Sequence, residues 1–287
     1  MVLAIAGIVA SAMGLLLMRQ QRFYRGTGEE IATRQSVRDA IEVLTTDIRG
    51  MSVADTARLL ADSAIEFFST IGTSVVCQRL SDTEIGLTSA ISLTSFATQP
   101  DTGDLAIFYT DSTRLGPPSP GWERARIGAF GRRSAATTCA PGSAFSNDAQ
   151  VSRPGAAFVS LQAPLSSGVK PGSPVKFVRR NRYSLYRAAD GGWYLGYRRC
   201  NALGTSICGA VQPLSGPYRA YSRDTNQSGI AFHYFDRGGR ILGSVLSLAR
   251  VDIVARGASR QQIIVEGRHW TPSDSARVSV AIRNRIE

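Results

Sequence analysis

The sequence predicts an α+β fold in which a long N-terminal, membrane-anchoring helix is followed by an antiparallel β-rich globular domain. Three observations predict it. The stretch Met1 to Met18 carries no charge, and the chain from there to about Val53 has no proline and repeats apolar residues every three or four positions. Beyond Met51 the pattern changes to short β-favouring runs punctuated by Gly, Pro, Asn and Asp. The expected division is 1–53 for the helix, with 1–18 transmembrane and 19–53 amphipathic, and 54–287 for the β-rich domain.

The first run, MVLAIAGIVASAMGLLLM, holds nothing more polar than Ser11. As a helix it spans roughly 27 Å, close to one hydrocarbon core. A cleavable signal peptide would have a basic start, a shorter apolar run and a non-helical mature chain after it. Here the helical pattern continues: Val37, Ile41, Leu44 and Ile48 recur at spacings of four, three and four and mark a packing stripe. Together the two halves make one helix about 75 to 80 Å long. Gly14, Gly26 and Gly28 each cost roughly 1 kcal/mol relative to alanine, which makes Gly26-Thr27-Gly28 the weakest stretch. Arg19, Arg22 and Arg25 lie just beyond the apolar run, and the positive-inside rule taken alone puts that end in the cytoplasm, against export, unless basic residues precede Met1.

In the second region the candidate strands are Ala64 to Ser69, Thr73 to Leu80, Glu84 to Thr88, Asp104 to Thr110, Ala157 to Gln162, Val175 to Arg187, Trp193 to Arg199, Gly229 to Phe235, Ser247 to Arg256 and Arg277 to Arg283. Val53 to Ala61 reads as a short helix. Two hairpins are signalled by turn chemistry, one through Ala189-Asp190-Gly191-Gly192 and one around Arg237-Gly238-Gly239, because Asp-Gly and Gly-Gly supply the positive φ angles of tight turns. Gly116 to Gly121 and Arg133 to Pro154 are rich in Pro, Gly, Ser and Ala and read as long surface loops.

The charge balance is the unusual feature of the composition: 33 Lys plus Arg against 22 Asp plus Glu, a formal +11. Nucleic acid, an anionic lipid or polysaccharide surface, or acidic neighbours in an assembly would each match it. The basic residues come in pairs and one short stretch, Lys176 to Arg182, without a long tail-like block. Within KFVRRNRYSLYR, Arg179, Arg180 and Arg182 interleave with tyrosines and are the candidate anionic contacts.

Four cysteines, Cys77, Cys139, Cys200 and Cys208, match no zinc pattern. The favoured pairing among the three available joins Cys200 to Cys208 across NALGTSI and Cys77 to Cys139, and it places the domain outside the reducing cytoplasm. No catalytic, cofactor-binding or metal-binding set emerges. Nucleophilic catalysis needs a Ser, Cys or Thr beside an oriented base, and His233 and His269 have no partner at informative spacing. There is no Gly-x-Ser-x-Gly, phosphate-cradling loop or His-Glu-x-x-His. Glu29-Glu30 sit on the helix among arginines. Asp224, Asn226 and Ser228 offer oxygens to calcium but lack a well-spaced set of carboxylates.

An apolar helix that starts at the first residues, becomes amphipathic and gives way to a β-rich domain resembles the type IV pilin superfamily. The run VLAIAGIVASAMGLLLMRQQRFYR resembles the N-terminal helix of PilW-like minor pilins and of J-class minor pseudopilins of type II secretion. SGIAFHYFDRGG, VDIVARGASR and DSARVSVAIRNR resemble the closing hairpins of the same group. The basic leader and the Phe-Thr-Leu-Val-Glu motif of that family are not in this sequence, so the resemblance implies that a leader and about half a dozen mature residues precede Met1. It also implies a structural subunit without a cofactor, held in the bacterial inner membrane as a single-pass protein. Its partners would be other pilin or pseudopilin subunits, packed through the N-terminal helix in a pilus or pseudopilus at or near the tip, with the β-rich domain on the periplasmic or extracellular side. The alternatives are an anchored binding protein whose basic domain contacts DNA or an anionic surface, and, remotely, a periplasmic hydrolase using His233 or His269.

Overall fold

The computed structural model describes residues 2–51, 58–88, 93–112, 119–134, 139, 154–202, 207–265 and 268–282. The chain opens with a single helix, α1 (Val2–Arg49), which runs through Gly26 and Gly28 without a break. It stops four residues short of the expected Val53: Gly50 and Met51 donate their backbone N–H groups to the carbonyls of Thr46 and Ile48, closing the last turn, and Met51 then bridges Ser69.

The expected membrane anchor is not supported. Among the described residues, no helix is long and apolar enough to cross a membrane. In the same helix Arg19, Arg22 and Arg25 are followed by Glu29 and Glu30. The fold class changes with it, from α+β with a membrane-anchoring helix to a mostly antiparallel β fold with one N-terminal helix.

The strands form one connected sheet system with two parts. In the first, β2 (Ala64–Arg79), β3 (Glu84–Leu87), β7 (Pro154–Leu161), β6 (Ser119–Ser134), β5 (Leu105–Ser112) and β8 (Pro174–Arg187) pair in turn, all antiparallel. Because β8 also pairs with β2, the ring closes into a six-stranded barrel. Its interior is apolar, with Val76, Ile85, Phe108, Ile127, Val159 and Phe177 all buried. Closure removes the unpaired strand edges that would otherwise invite aggregation. Two short strands, β1 (Leu59–Leu60) and β4 (Ser95–Phe96), add to β2.

In the second part the C-terminal half of β8 leaves the ring and pairs with β9 (Trp193–Arg199), which leads to β10 (Gln212–Tyr218) and β12 (Arg250–Ala258). β12 is flanked by β11 (Ile230–Phe235) and β15 (Ser273–Ala281). β13 (Ile263–Val265) and β14 (Arg268–Trp270) form a separate hairpin. The latter half of α1 lies across this second sheet, and Val37, Ala40, Leu44 and Ile48 join Phe67, Tyr183, Phe232 and Ile253 in one buried cluster. Contact is close at Gly257, where a Cβ would come within 2.9 Å of methyl carbons of both Thr33 and Val37.

Several expected boundaries change. The first two candidate strands merge into β2, and β6 and β10 occupy stretches where no strand was expected. β6 hides because its outward positions are Trp122, Arg124 and Arg126, while the inward ones include the small Ala125. β10 hides because QPLSGPY carries two prolines, which argue against a strand by sequence. The short helix expected at Val53 to Ala61 lies partly outside the described residues, and Leu59–Leu60 is strand instead. The expected loop from Gly116 yields Ser119 to Gly121 to β6, and most of the loop expected from Arg133 to Pro154 lies outside the described residues. The two turns place glycine at positive φ, +80° at Gly191 and +74° at Gly239.

Candidate functional site

The two halves of α1 differ in their surroundings. From Gly26 onward one stripe faces the protein: Gly26, Thr33, Val37, Ala40, Leu44, Thr45 and Ile48 are buried, and Ile41 is half-buried against the same core. Polar links hold that half in place. Tyr218 donates its hydroxyl to the Ser36 carbonyl at 2.6 Å, Ser36 donates to the Gly216 carbonyl at 2.8 Å, and Ser259 donates to Glu29 at 2.5 Å. The Tyr183 hydroxyl donates to the Asp47 carboxylate. Burial pushes the Asp47 carboxyl above its ordinary value, with the Tyr183 hydrogen bond pulling the other way, and burial together with the Asp47 charge pushes the Tyr183 phenol up.

From Ala12 to Arg25 the described side chains have no such cover. Met13, Leu15, Leu16, Leu17 and Met18 are each between 57% and 64% exposed, and Phe23 and Tyr24 about 70%. Consecutive helical residues are turned by about 100° from one another, so the run Leu15 to Met18 presents apolar surface on every side of the helix. Such a segment is satisfied only by burial among other apolar surfaces. The stripe that the sequence offers for packing, Val37 with Ile41, Leu44 and Ile48, is therefore occupied inside the subunit, and the residues open to other molecules lie about four to seven turns earlier.

The candidate anionic contacts are also engaged internally. Arg179 donates to the buried Asp104 at 2.7 and 3.0 Å, and Arg199 joins the same carboxylate at 2.9 Å and reaches Asp101 at 2.9 Å. The hydrogen bonds to Asp104 raise the Arg179 pKa above its ordinary value. Arg180, 5% exposed, and Arg182 grip the two oxygens of Glu66 between them, with Nε contacts of 2.6 and 2.7 Å. Glu66 is fully buried, so this is an internal ion triad.

The cysteines pair as Cys77–Cys139 and Cys200–Cys208. The Glu66 carboxylate and the sulfurs of Cys200 and Cys208 converge within 4.8 Å. The sulfurs are bonded to each other and the carboxylate already holds two guanidinium groups, so the set offers a cation nothing. The Asp224 to Ser228 loop, which by sequence lacks the carboxylate set that calcium needs, makes its polar contacts within the protein: Arg256 donates to the carbonyls of Thr225 and Ser228 at 2.9 and 2.8 Å, while Asp224 accepts from the Asn226 N–H.

His233 stands on β11 opposite Asp252 of β12 and lines a cleft of about 500 Å³ with Asp62, Tyr234, Ile241, Leu242 and Val245. Asp252 is not available to orient it. One oxygen accepts from Ser279 at 2.7 Å and lies 3.2 Å from Arg250, and the other accepts from Arg277 at 2.7 Å. His269 lies exposed on β14. Glu30 pairs with Arg34 on the helix surface.

Asp252 makes a pH prediction. Burial pushes its carboxyl up, but the hydrogen bonds from Arg277 and Ser279 and the charges of Arg250 and Arg277 outweigh it and hold the pKa below the ordinary value. A depressed folded-state pKa adds stability that is fully present above the unfolded value of about 4 and is lost as pH falls through the folded value. Thermal melts across pH should therefore show Asp252→Asn least stable relative to the native chain at neutral pH. The two curves should converge in acid.

Comparison of the chain with family models, with curated proteins and with solved structures finds no match in any of the three.

Proposed function

We propose that this chain is a structural subunit of a pilin- or pseudopilin-type filament, assembled through the first half of α1 rather than through its apolar stripe at Val37 to Ile48. The observation that carries this reading is the division of one continuous helix into a half docked on its own β-sheet and a half whose large apolar side chains are exposed all round. Burying those side chains among like helices of neighbouring subunits removes apolar area from water at roughly 25 cal/mol per Å². The tyrosine and serine links of the docked half hold the β domain to the helix, so the domain is carried along the outside of any such bundle. The resemblance of the N-terminal run and the closing hairpins to minor pilins and pseudopilins supports the same assignment.

Light scattering and sedimentation of the full chain test it. The native chain is expected to self-associate with rising concentration, and Leu16→Glu with Phe23→Glu should abolish that association. The melting temperature should move little, because both side chains are largely exposed. A chain that stays monomeric, or a double variant that assembles as the native chain does, would overturn the proposal.

A further inference from the structure

The cleft beside β11 lies at one end of the second sheet, and the uncovered half of α1 leaves by the other. The cleft is bounded by Leu60 to Asp62, by Phe232 to Phe235 of β11 and by Ile241 to Val245. Backbone bonds fix its walls: Phe232 donates its N–H to the Asp62 carbonyl at 2.8 Å, and Leu242 donates to the Tyr234 carbonyl at 3.1 Å. This part of β11 meets the start of β12, with Phe235 opposite Arg250 and Phe232 opposite Ile253. α1 passes the far end of β12: Thr33 and Val37 lie against Gly257, Glu29 accepts from Ser259, and Gly26 lies against Ile263 of β13. The two places are roughly 13 to 23 Å apart along the strand. Because α1 is one continuous helix, the residues before Gly26 continue past that far end, away from the cleft of their own subunit.

The cleft is largely apolar and carries an acid. Ile241 is 86% exposed and Val245 40%, an apolar rim open to solvent beside the half-buried Leu242 and the buried Phe232. The half-buried Asp62 accepts from the hydroxyls of Ser63 at 3.1 Å and Tyr221 at 2.9 Å. Both donors are neutral, and a carboxylate has about four acceptor sites, so the group keeps its charge and room for a cation. That charge acts inside the cleft: burial and then Asp62 push the Tyr234 phenol above its ordinary value. Clefts of about 300 to 1,000 Å³ hold a drug-sized molecule, so one of about 500 Å³ takes the side chains of one helix face and not the helix itself. The uncovered half of α1 offers such a face. Leu16, Arg19 and Phe23 stand three and four residues apart, share one side of the helix over about 10 Å, and are all exposed. Two apolar side chains with a cation between them match an apolar cleft that holds a carboxylate.

We infer that this cleft receives the first half of α1 from a second copy of the chain, with Leu16 and Phe23 seated against Ile241, Leu242 and Val245 and with Arg19 paired to Asp62. The inference rests on the filament reading and says where one face of the uncovered helix goes. Leu15 to Met18 are apolar on every side, which leaves other faces for like helices. The inserted face and the cleft are different surfaces at opposite ends of the second sheet, so the contact is heterologous. Each subunit that fills a neighbour's cleft leaves its own open for the next, and such contacts propagate into a helical filament unless the rotation closes a ring.

Sedimentation velocity of full-length variants, alone and mixed, tests the inference. Ile241→Glu with Val245→Glu spoils the cleft and leaves α1 intact; both side chains are exposed, and a melting temperature close to the native one will show that the variant folds. It should associate about tenfold more weakly than the native chain or worse. Asp62→Asn should weaken association about fivefold and make it less sensitive to salt. Mixed in equal amounts with Leu16→Glu, Phe23→Glu, which keeps its cleft, the cleft variant should form a one-to-one dimer that does not grow, because one intact helix face and one intact cleft remain. A cleft variant that assembles as the native chain does, or a mixture without the dimer, would sink the inference and leave the filament reading standing, with helices covering helices and the cleft serving another molecule. A native chain that stays monomeric would sink both.

Discussion

Replacing Glu66 with leucine should lower stability by about 3 to 5 kcal/mol in urea unfolding, among the largest losses for one substitution in this chain. Glu66 is fully buried on β2 and Arg180, opposite Phe68 on β8, is 5% exposed. Both carboxylate oxygens are committed, one to each of Arg180 and Arg182, at 2.5 and 2.6 Å through their NH2 groups. Removing the carboxylate leaves the Arg180 guanidinium buried without that counter-charge, and a neutral acceptor such as the Asn201 carbonyl at 3.1 Å does not replace it. The size of the loss reflects the stranded charge more than the worth of the triad. The triple variant Glu66→Leu, Arg180→Met, Arg182→Met should accordingly recover most of the stability, because well-packed apolar groups can match a buried ion cluster. A triad shielded from solvent is also screened little, so the loss should be nearly the same at low and high salt. A strongly salt-dependent loss would mean that water reaches the cluster.

The same triad marks where the sequence stops being readable. Arg179, Arg180 and Arg182 stand out as a basic run because their charges are local, but the acids that neutralise them are far away in the chain. Glu66 lies 114 residues from Arg180 and Asp104 lies 75 residues from Arg179. Only the pairing of β8 with β2 and β5 brings them together. Arg124 and Arg126 of β6 gave no such signal, since they come beside β5 and β8 only through strand register. Trp122 was lost with β6, whose outward arginines break the apolar alternation by which a strand is recognised.

Local patterns were more informative. The spacing of Val37, Ile41, Leu44 and Ile48 identifies the buried stripe of α1, because a helix shows its packing face in its own periodicity. Periodicity does not say what the stripe packs against, and here the partner is the second sheet of the same chain. The charge-free run at the start reads as a membrane span by hydropathy alone, yet no helix among the described residues meets that requirement. Turn chemistry placed both glycine hairpins, and the short separation of Cys200 from Cys208 pointed to their bond.

Removing the other bridge, by Cys77→Ala with Cys139→Ala, should cost about 4 kcal/mol in urea unfolding on the loop-entropy model. The bond closes a 62-residue separation, against 8 for Cys200–Cys208, whose removal should cost only about 2 to 3 kcal/mol. The long loop contains β3, β4, β5 and β6, so an unfolded chain that keeps the bridge still holds the two ends of half the barrel together. Without the bridge, closing the ring must bring β2 back to strands that are distant in sequence, and every such pairing begins from a freer chain. Folding should therefore slow in the Cys77, Cys139 variant more than in the Cys200, Cys208 variant, whose small loop lies beside the ion triad and outside the ring. Stopped-flow refolding of both variants checks the order. If the short bridge proves the more important, the restriction it imposes beside Glu66, rather than chain entropy, is what its bond supplies.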